Sequence, residues 1–155
     1  MRRILKWVLC LPFLLIGLVI LHEVVGMVVN HTASARQTRN AVSLLHTGLV
    51  SVEIVDSYTE TGNTSGTGNH VDMLSAVIFK TDAGLVEIEA LIDRNYGLDM
   101  WNCWIEEMEK VTAFREEISS FYPYVAEMRV PKNLEHTYLL YINNSAPFVD
   151  NIEGH

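Results

Sequence analysis

The sequence predicts an α+β protein: an N-terminal transmembrane helix followed by a small five-stranded, mainly antiparallel sheet covered by one long amphipathic helix. Three observations carry this expectation. Residues 7–29 are apolar except for His22 and Glu23. Several later stretches alternate apolar and polar residues, the period of a half-buried strand. From Leu98 onward apolar residues recur at steps of three and four, the period of one helix face.

The elements follow in chain order. Residues 1–6, MRRILK, hold Arg2, Arg3 and Lys6 and are expected as a basic cytoplasmic tail. As a helix, residues 7–29 reach roughly 34 Å at about 1.5 Å per residue, enough to cross a hydrocarbon core of about 30 Å. The competing reading is a cleaved signal peptide, since a basic start, an apolar core and the triplet Ala33-Ser34-Ala35 are all present. Spacing opposes cleavage, because the triplet lies far beyond Leu21 whereas a peptidase site follows the apolar core closely. Cys10 follows Val8-Leu9 and so lacks the small preceding residue of a lipoprotein signal. Three positive charges before the span against Arg36 and Arg39 after it place the N-terminus in the cytoplasm and the domain outside, periplasmic or extracellular.

His22 and Glu23 are ionisable groups in an apolar run, which are costly unless hydrated, paired or functional. A zinc-protease reading fails because position 26, where the second histidine of H-E-x-x-H belongs, is Gly26. The pair is expected at the outer interface, with contact to another helix or a partner as the alternative. Residues 30–47 are expected as a helical stalk, with Ala41, Val42, Leu44 and Leu45 on one surface and Gly48 as its cap.

Residues 48–146 form the expected domain. Leu49–Tyr58 alternates, with Val50, Val52, Ile54 and Tyr58 on one face and an interruption at Asp56; Thr59–His70 has three glycines and no aliphatic residue, so it reads as a long mobile hairpin loop. Val71–Lys80 is apolar on both faces, as a central strand is. Leu85–Asp93 pairs back as a third strand, with Glu87, Glu89 and Asp93 sharing one face. The long helix then runs from Leu98 through Trp101, Ile105, Met108, Val111, Phe114, Ile118 and Phe121 to Pro123, with Asp99 as its N-cap. Tyr124–Val130 and Thr137–Ile142 complete the five strands, and residues 147–155 are expected as a loose tail.

Composition bounds the chemistry. Apolar residues make up 49% and charged residues 19%, which excludes a disordered chain. Residues 36–155 carry 8 basic and 18 acidic side chains, a net −10, so nucleic acid would be repelled. Two cysteines build neither a disulfide framework nor a metal knuckle. Gly62, Gly66 and Gly68 match no phosphate loop, and Ser65 is not in a nucleophile elbow. Cys103 needs a nearby imidazole to act as a thiolate, and His46, His70 and His136 are available. No cofactor, metal ligand set or catalytic group is expected. The Glu87, Glu89 and Asp93 face is solvated or meets a basic partner. Trp101 and Trp104 pack in the core, or anchor a protein contact if their sheet face is uncovered. Asn30-His31-Thr32, Asn63-Thr64-Ser65 and Asn143-Asn144-Ser145 match the glycosylation pattern, which matters only in a eukaryotic secretory host.

A glutamate early in an apolar N-terminal helix, followed by a small sheet, resembles the outline of a type IV pilin. The sequence departs from it where residues before Gly17 are apolar rather than a short basic leader, and where Glu23 is the sixth residue after Gly17 instead of the fifth. The expected function is therefore a membrane-anchored extracytoplasmic binding module, an accessory or assembly factor or an immunity-type inhibitor acting through protein contacts. A small enzyme with dispersed residues around Cys103 or His136, and a pilin-like structural subunit, are the alternatives.

Overall fold

The computed structural model describes the backbone of residues 2–66, 68–113 and 127–155, and the side chains of residues 10–66, 68–112 and 127–155. It is α+β, with one long apolar N-terminal helix and a four-stranded antiparallel sheet. The helix, α1 (Arg2–Gly48), is unbroken from the basic tail through the apolar run and the expected stalk. Its apolar part is long enough to cross a membrane or to serve as a signal sequence, and almost none of it is buried.

Beyond that run α1 does not stand free. Gly26, Asn30, Ser34, Thr38, Ala41 and Leu45 recur at steps of three and four and are all buried, so they form one stripe; Gly26 and Asn30 meet Phe148 and Asn151, and the rest lies on the sheet. β1 (Glu53–Gly62), β2 (Asp72–Lys80), β3 (Cys103–Glu107) and β4 (Thr137–Ser145) are arranged β1-β2-β4-β3. Asp72 pairs with Ser145 and Lys80 with Thr137, so the two central strands match along their whole length. β2 is buried on both faces, as expected. Its Val77 and Phe79, with Leu140, Ile142, Cys103 and Ile105, meet Ala41 and Leu45 of α1. Leu74, Ala76 and Ile78, with Leu139 and Tyr141, face the opposite way and meet Met108, Val111 and Met128.

Three expectations are corrected. Leu85–Asp93 is not a strand but part of α2 (Leu85–Tyr96). The apolar pattern supports both periods, and burial decides between them: Ile88 and Ile92, one turn apart, are fully buried, while Val86, which a strand would bury with them, is 79% exposed. Gly97, at φ 75°, ends the helix with its N–H on the Asp93 carbonyl. The long helix expected from Leu98 is instead a tight turn, β3 and the short α3 (Met108–Ala113). Cys103 and Ile105 face the α1 side and Trp104 the other, a period of two that the steps of three and four conceal. Its remainder, with Phe114, Ile118, Phe121 and Pro123, lies outside the described residues. Residues 127–130 of the expected Tyr124–Val130 strand form a turn and bend without strand pairing, and residues 124–126 also lie outside the described residues. The sheet thus has four strands among the described residues, and the helices on its α1 face are α1 and α2.

Other elements agree more closely. β1 starts inside the first expected strand, Leu49–Tyr58, and runs on to Gly62, four residues into the stretch expected as a loop, and its register shifts between Ile54 and Asp56. This bulge accounts for the interrupted face: Ile54 packs with the α1-side core and Val55 with the other. Residues 147–155, expected as a loose tail, instead fold back along α1: Val71 pairs with Ala146 and Val149 through two backbone hydrogen bonds of 2.9 Å, and Ile152–Gly154 forms a 3-10 turn.

Candidate functional site

The corner where α2 passes into β3 gathers most of the residues singled out for a partner. Asp99 builds it. Its carboxylate accepts the Trp101 N–H at 2.9 Å and the Asn102 side-chain amide at 2.7 Å, while its backbone exchanges two hydrogen bonds with Cys103 at 2.8 and 2.9 Å. Asp93 accepts the Leu98 N–H at 2.9 Å. A carboxylate that holds the backbone two residues ahead fixes a turn, and this turn pushes Met100 and Trp101 outward to 72% and 73% exposure. Behind them is a shallow cleft of about 210 Å³ lined by Glu89, Leu98, Asp99, Cys103 and Trp104.

The two tryptophans separate here. Trp104 is half-buried and stacks on Tyr141, with ring centroids 5.1 Å apart and planes 19° from parallel, so it packs. Trp101 stands in solvent. The three carboxylates do not share a face, because the strand that would have aligned them is a helix. With about 100° between successive residues, Glu89 and Asp93 lie one turn apart on one side of α2, and Glu87 points roughly 160° away from Glu89. Glu89 and Asp93 therefore flank the corner, and Glu87 does not.

Cys103 is buried, and its thiol is pushed up to about 11 by that burial, reinforced by the negative charges of Asp99 and Asp93. It stays protonated at neutral pH, which withholds the thiolate that a nucleophile needs. Cys103 pairs with Ile142 and His136 precedes Thr137 at the other end of β4. Roughly 20 Å of strand separates them, too far for the imidazole to take the thiol's proton. His46 is exposed in the last turn of α1, and His70 lies between Asp72, at 3.3 Å, and the Ser145 hydroxyl, at 3.0 Å. Among the described residues no group of His, Cys, Asp and Glu is placed to hold a metal ion.

No family model matches the chain, and no curated protein or solved structure matches it. Function must be argued from its own geometry.

A second constellation is absent from the expectations above: a polar seam that α1 makes with the sheet and with residues 148–152. The Gln37 amide donates to the Met73 carbonyl at 2.9 Å and to the Ser75 hydroxyl at 3.1 Å, and its oxygen accepts from Asn144 at 2.9 Å. Thr38 meets the Thr59 and Ser75 hydroxyls at 2.6 and 2.7 Å, and Ser34 donates to the Glu60 carbonyl at 3.0 Å. The fully buried Asn30 side chain brackets Phe148, donating to its carbonyl and accepting its N–H, both at 2.9 Å. About two turns nearer the N-terminus, Glu23 accepts the Ile152 N–H on its carboxylate and the Asn151 amide on its backbone carbonyl, both at 2.9 Å, while His22 meets the Phe148 ring edge-on at 5.7 Å. His22 and Glu23 thus touch the chain's own C-terminal segment. The signal that foretells this seam is the four-residue spacing of Gly26, Asn30, Ser34 and Thr38, small or polar residues that suit close helix approach.

Proposed function

We propose that the protein is a membrane-anchored extracytoplasmic binding module, held by residues 7–29 with its N-terminus in the cytoplasm, that engages a protein partner through Leu98, Met100 and Trp101. The observation that carries this reading is Trp101 itself, a large apolar side chain held out in solvent by a turn that Asp99 fixes. Exposing an indole on a rigid support forgoes burial in the monomer and gives a partner an anchor whose ordering entropy is already lost. Glu89 and Asp93 at the rim, within a domain of net −10, favour a basic partner and speed its approach at low salt. Trp104 acts beneath them as support, and Glu87 contributes only to the general field.

Photo-crosslinking in native membranes tests this reading, with a crosslinking residue at Trp101 and, as exposed comparators, at Val86 and Lys132. An adduct of constant size at position 101, absent from the other two, is expected. Equal or no crosslinking at all three sites rules the corner out. An alkaline phosphatase fusion after His155 should be active; an inactive fusion beside an active cytoplasmic reporter would reverse the orientation.

The unbroken course of α1 from the apolar run onto the sheet favours a second reading, a pilin-like structural subunit that assembles side by side through that helix. Crosslinks between copies at Leu15 or Val19, with none at Trp101, would support it over the first.

A further inference from the structure

We infer that the C-terminal segment, residues 146–155, is a membrane foot that sits in the boundary between lipid headgroups and acyl chains of the membrane α1 crosses. The inference rests on the spanning role proposed for residues 7–29 and adds the seat of the domain. The domain first grips α1 at Glu23, where Ile152 and Asn151 are bonded to it. Below His22 and Glu23 the apolar run offers residues 7–21, about 23 Å of helix against a hydrocarbon core of about 30 Å. The shortfall is made good by the next stretch of α1, since Val24, Val25, Met27 and Val28 are also exposed on flanks the foot leaves open. Residues 7–28 reach about 33 Å. Beyond them the exposed residues turn polar, beginning with His31 and Thr32.

The apolar length that a bilayer demands therefore overlaps the level at which the foot is docked. The foot is composed for that level. Ile152 is 61% exposed, and Phe148 is half-buried against His22. Five of its backbone polar groups, which hydrocarbon would leave stranded, are taken up: the Phe148 N–H and C=O by Asn30, the Ile152 N–H by Glu23, and the Ala146 N–H and Val149 C=O by Val71. This also supplies a reason for a glutamate within an apolar run: its carboxylate accepts the N–H of Ile152, the first residue of the foot's 3-10 turn. His31 and Glu153, 2.6 Å apart, close the upper side.

The test is a depth measurement on the full chain carrying Cys10→Ser, in vesicles of phosphatidylcholine with a minority of phosphatidylglycerol. A nitroxide label is placed in turn at Ile152→Cys, Leu15→Cys and Lys132→Cys, and collisions with oxygen and with a water-soluble nickel chelate are compared. Ile152 is exposed, so the label leaves the fold in place. The expected result is nickel access at Ile152 several-fold below that at Lys132, with oxygen access raised towards that at Leu15. Nickel access at Ile152 equal to that at Lys132, with Leu15 shielded, overturns the foot while the span stands. Free nickel access at Leu15 as well overturns the span and the foot with it.

Discussion

Replacing Asn30 by alanine tests how the foot is held. The Asn30 side chain is fully buried and makes both backbone hydrogen bonds of Phe148, each 2.9 Å long. If the foot stayed docked in Asn30→Ala, it would strand a buried N–H and a buried C=O, each at about 1–3 kcal/mol. If it lifted away, it would forfeit the bonds of Asn151 and Ile152 to Glu23 and of Glu153 to His31. Those three contribute about 0.5–1.5 kcal/mol each, less for the exposed histidine pair. The cheaper route, lifting away, sets the cost, so a local loss of about 1–3 kcal/mol is expected. This is roughly a 5- to 150-fold rise in the opening equilibrium. The assay is amide hydrogen exchange by mass spectrometry on the full chain in lipid nanodiscs, reading the peptide that covers residues 146–155. Asn30→Asp should not rescue, since it keeps the acceptor for the Phe148 N–H but turns a second acceptor towards the carbonyl. His31→Ala should change exchange by less than tenfold. A change below threefold in Asn30→Ala would show that the bracket does not hold the foot, and the reasoning would fail.

The remaining predictions concern the seam, two glycines and the buried thiol. Thr38→Val keeps the shape but removes the hydroxyl shared with Thr59 and Ser75, and should lower stability by about 1–3 kcal/mol, read from thermal unfolding in detergent; an unchanged midpoint would dismiss the seam. Gly154→Ala builds a Cβ 2.8 Å from the His70 backbone, which cannot step aside, whereas Gly26→Ala meets the movable Asn151 side chain and gains about 1 kcal/mol of helix propensity; C-terminal trimming by carboxypeptidase should be faster in the first than in the second. For Cys103, the folded thiol titrates at about 11 against an ordinary 9.0. Below pH 9 both states are protonated; between 9 and 11 only the unfolded state gives up its proton, so stability falls as pH rises through that window. Cys103→Ala should flatten this decline while leaving the one above pH 10, where Tyr58, raised to about 12 by burial and Glu60, follows the same sign.

How far the fold was legible depended on whether each element faces a single medium. The central strand was read well because both its faces are covered, so an apolar run had one interpretation. β4 was read for the same reason. Leu85–Tyr96 was misread because Ile88 and Ile92 satisfy both periods over a short stretch; only the exposure of Val86 separates them, and that is a tertiary fact. The stretch from Trp101 to Met108 was misread in the opposite direction, its helical spacing being a coincidence of an exposed Trp101 with the strand residue Ile105 and the first residue of α3, Met108. At the corner, Trp101 was expected in the core, or as a contact anchor if its sheet face were uncovered; it is exposed because a turn holds it out, while Glu89 and Asp93 flank it through a helix. Asp99 was expected to cap a helix and instead caps a turn, with the same chemistry of a carboxylate on backbone N–H groups. The foot escaped notice because its sequence is polar and its anchor, Asn30, lies more than a hundred residues away.

The polar seam gives α1 something that an apolar seam would not. A helix emerging from a bilayer with only aliphatic side chains towards the sheet could slide by a turn, about 5.4 Å, and lose little, since one apolar contact replaces another. With Asn30, Ser34, Gln37 and Thr38 in the interface, such a slide leaves buried donors and acceptors opposite the wrong groups, each at a cost of about 1–3 kcal/mol. Height and rotation of the domain on its helix are thereby specified, at some expense in hydrophobic burial that Ala41 and Leu45 restore further up. The height is informative. Gln37 reaches the Ile142 carbonyl, and Ile142 pairs with Cys103 beside the corner. From Val28, where the exposed apolar flank ends, to Gln37 is about 14 Å along the helix. A seam that fixes this distance would present Trp101 to a partner at a set level above the membrane surface, which is what a membrane-anchored binding module needs and a flexible stalk would not provide.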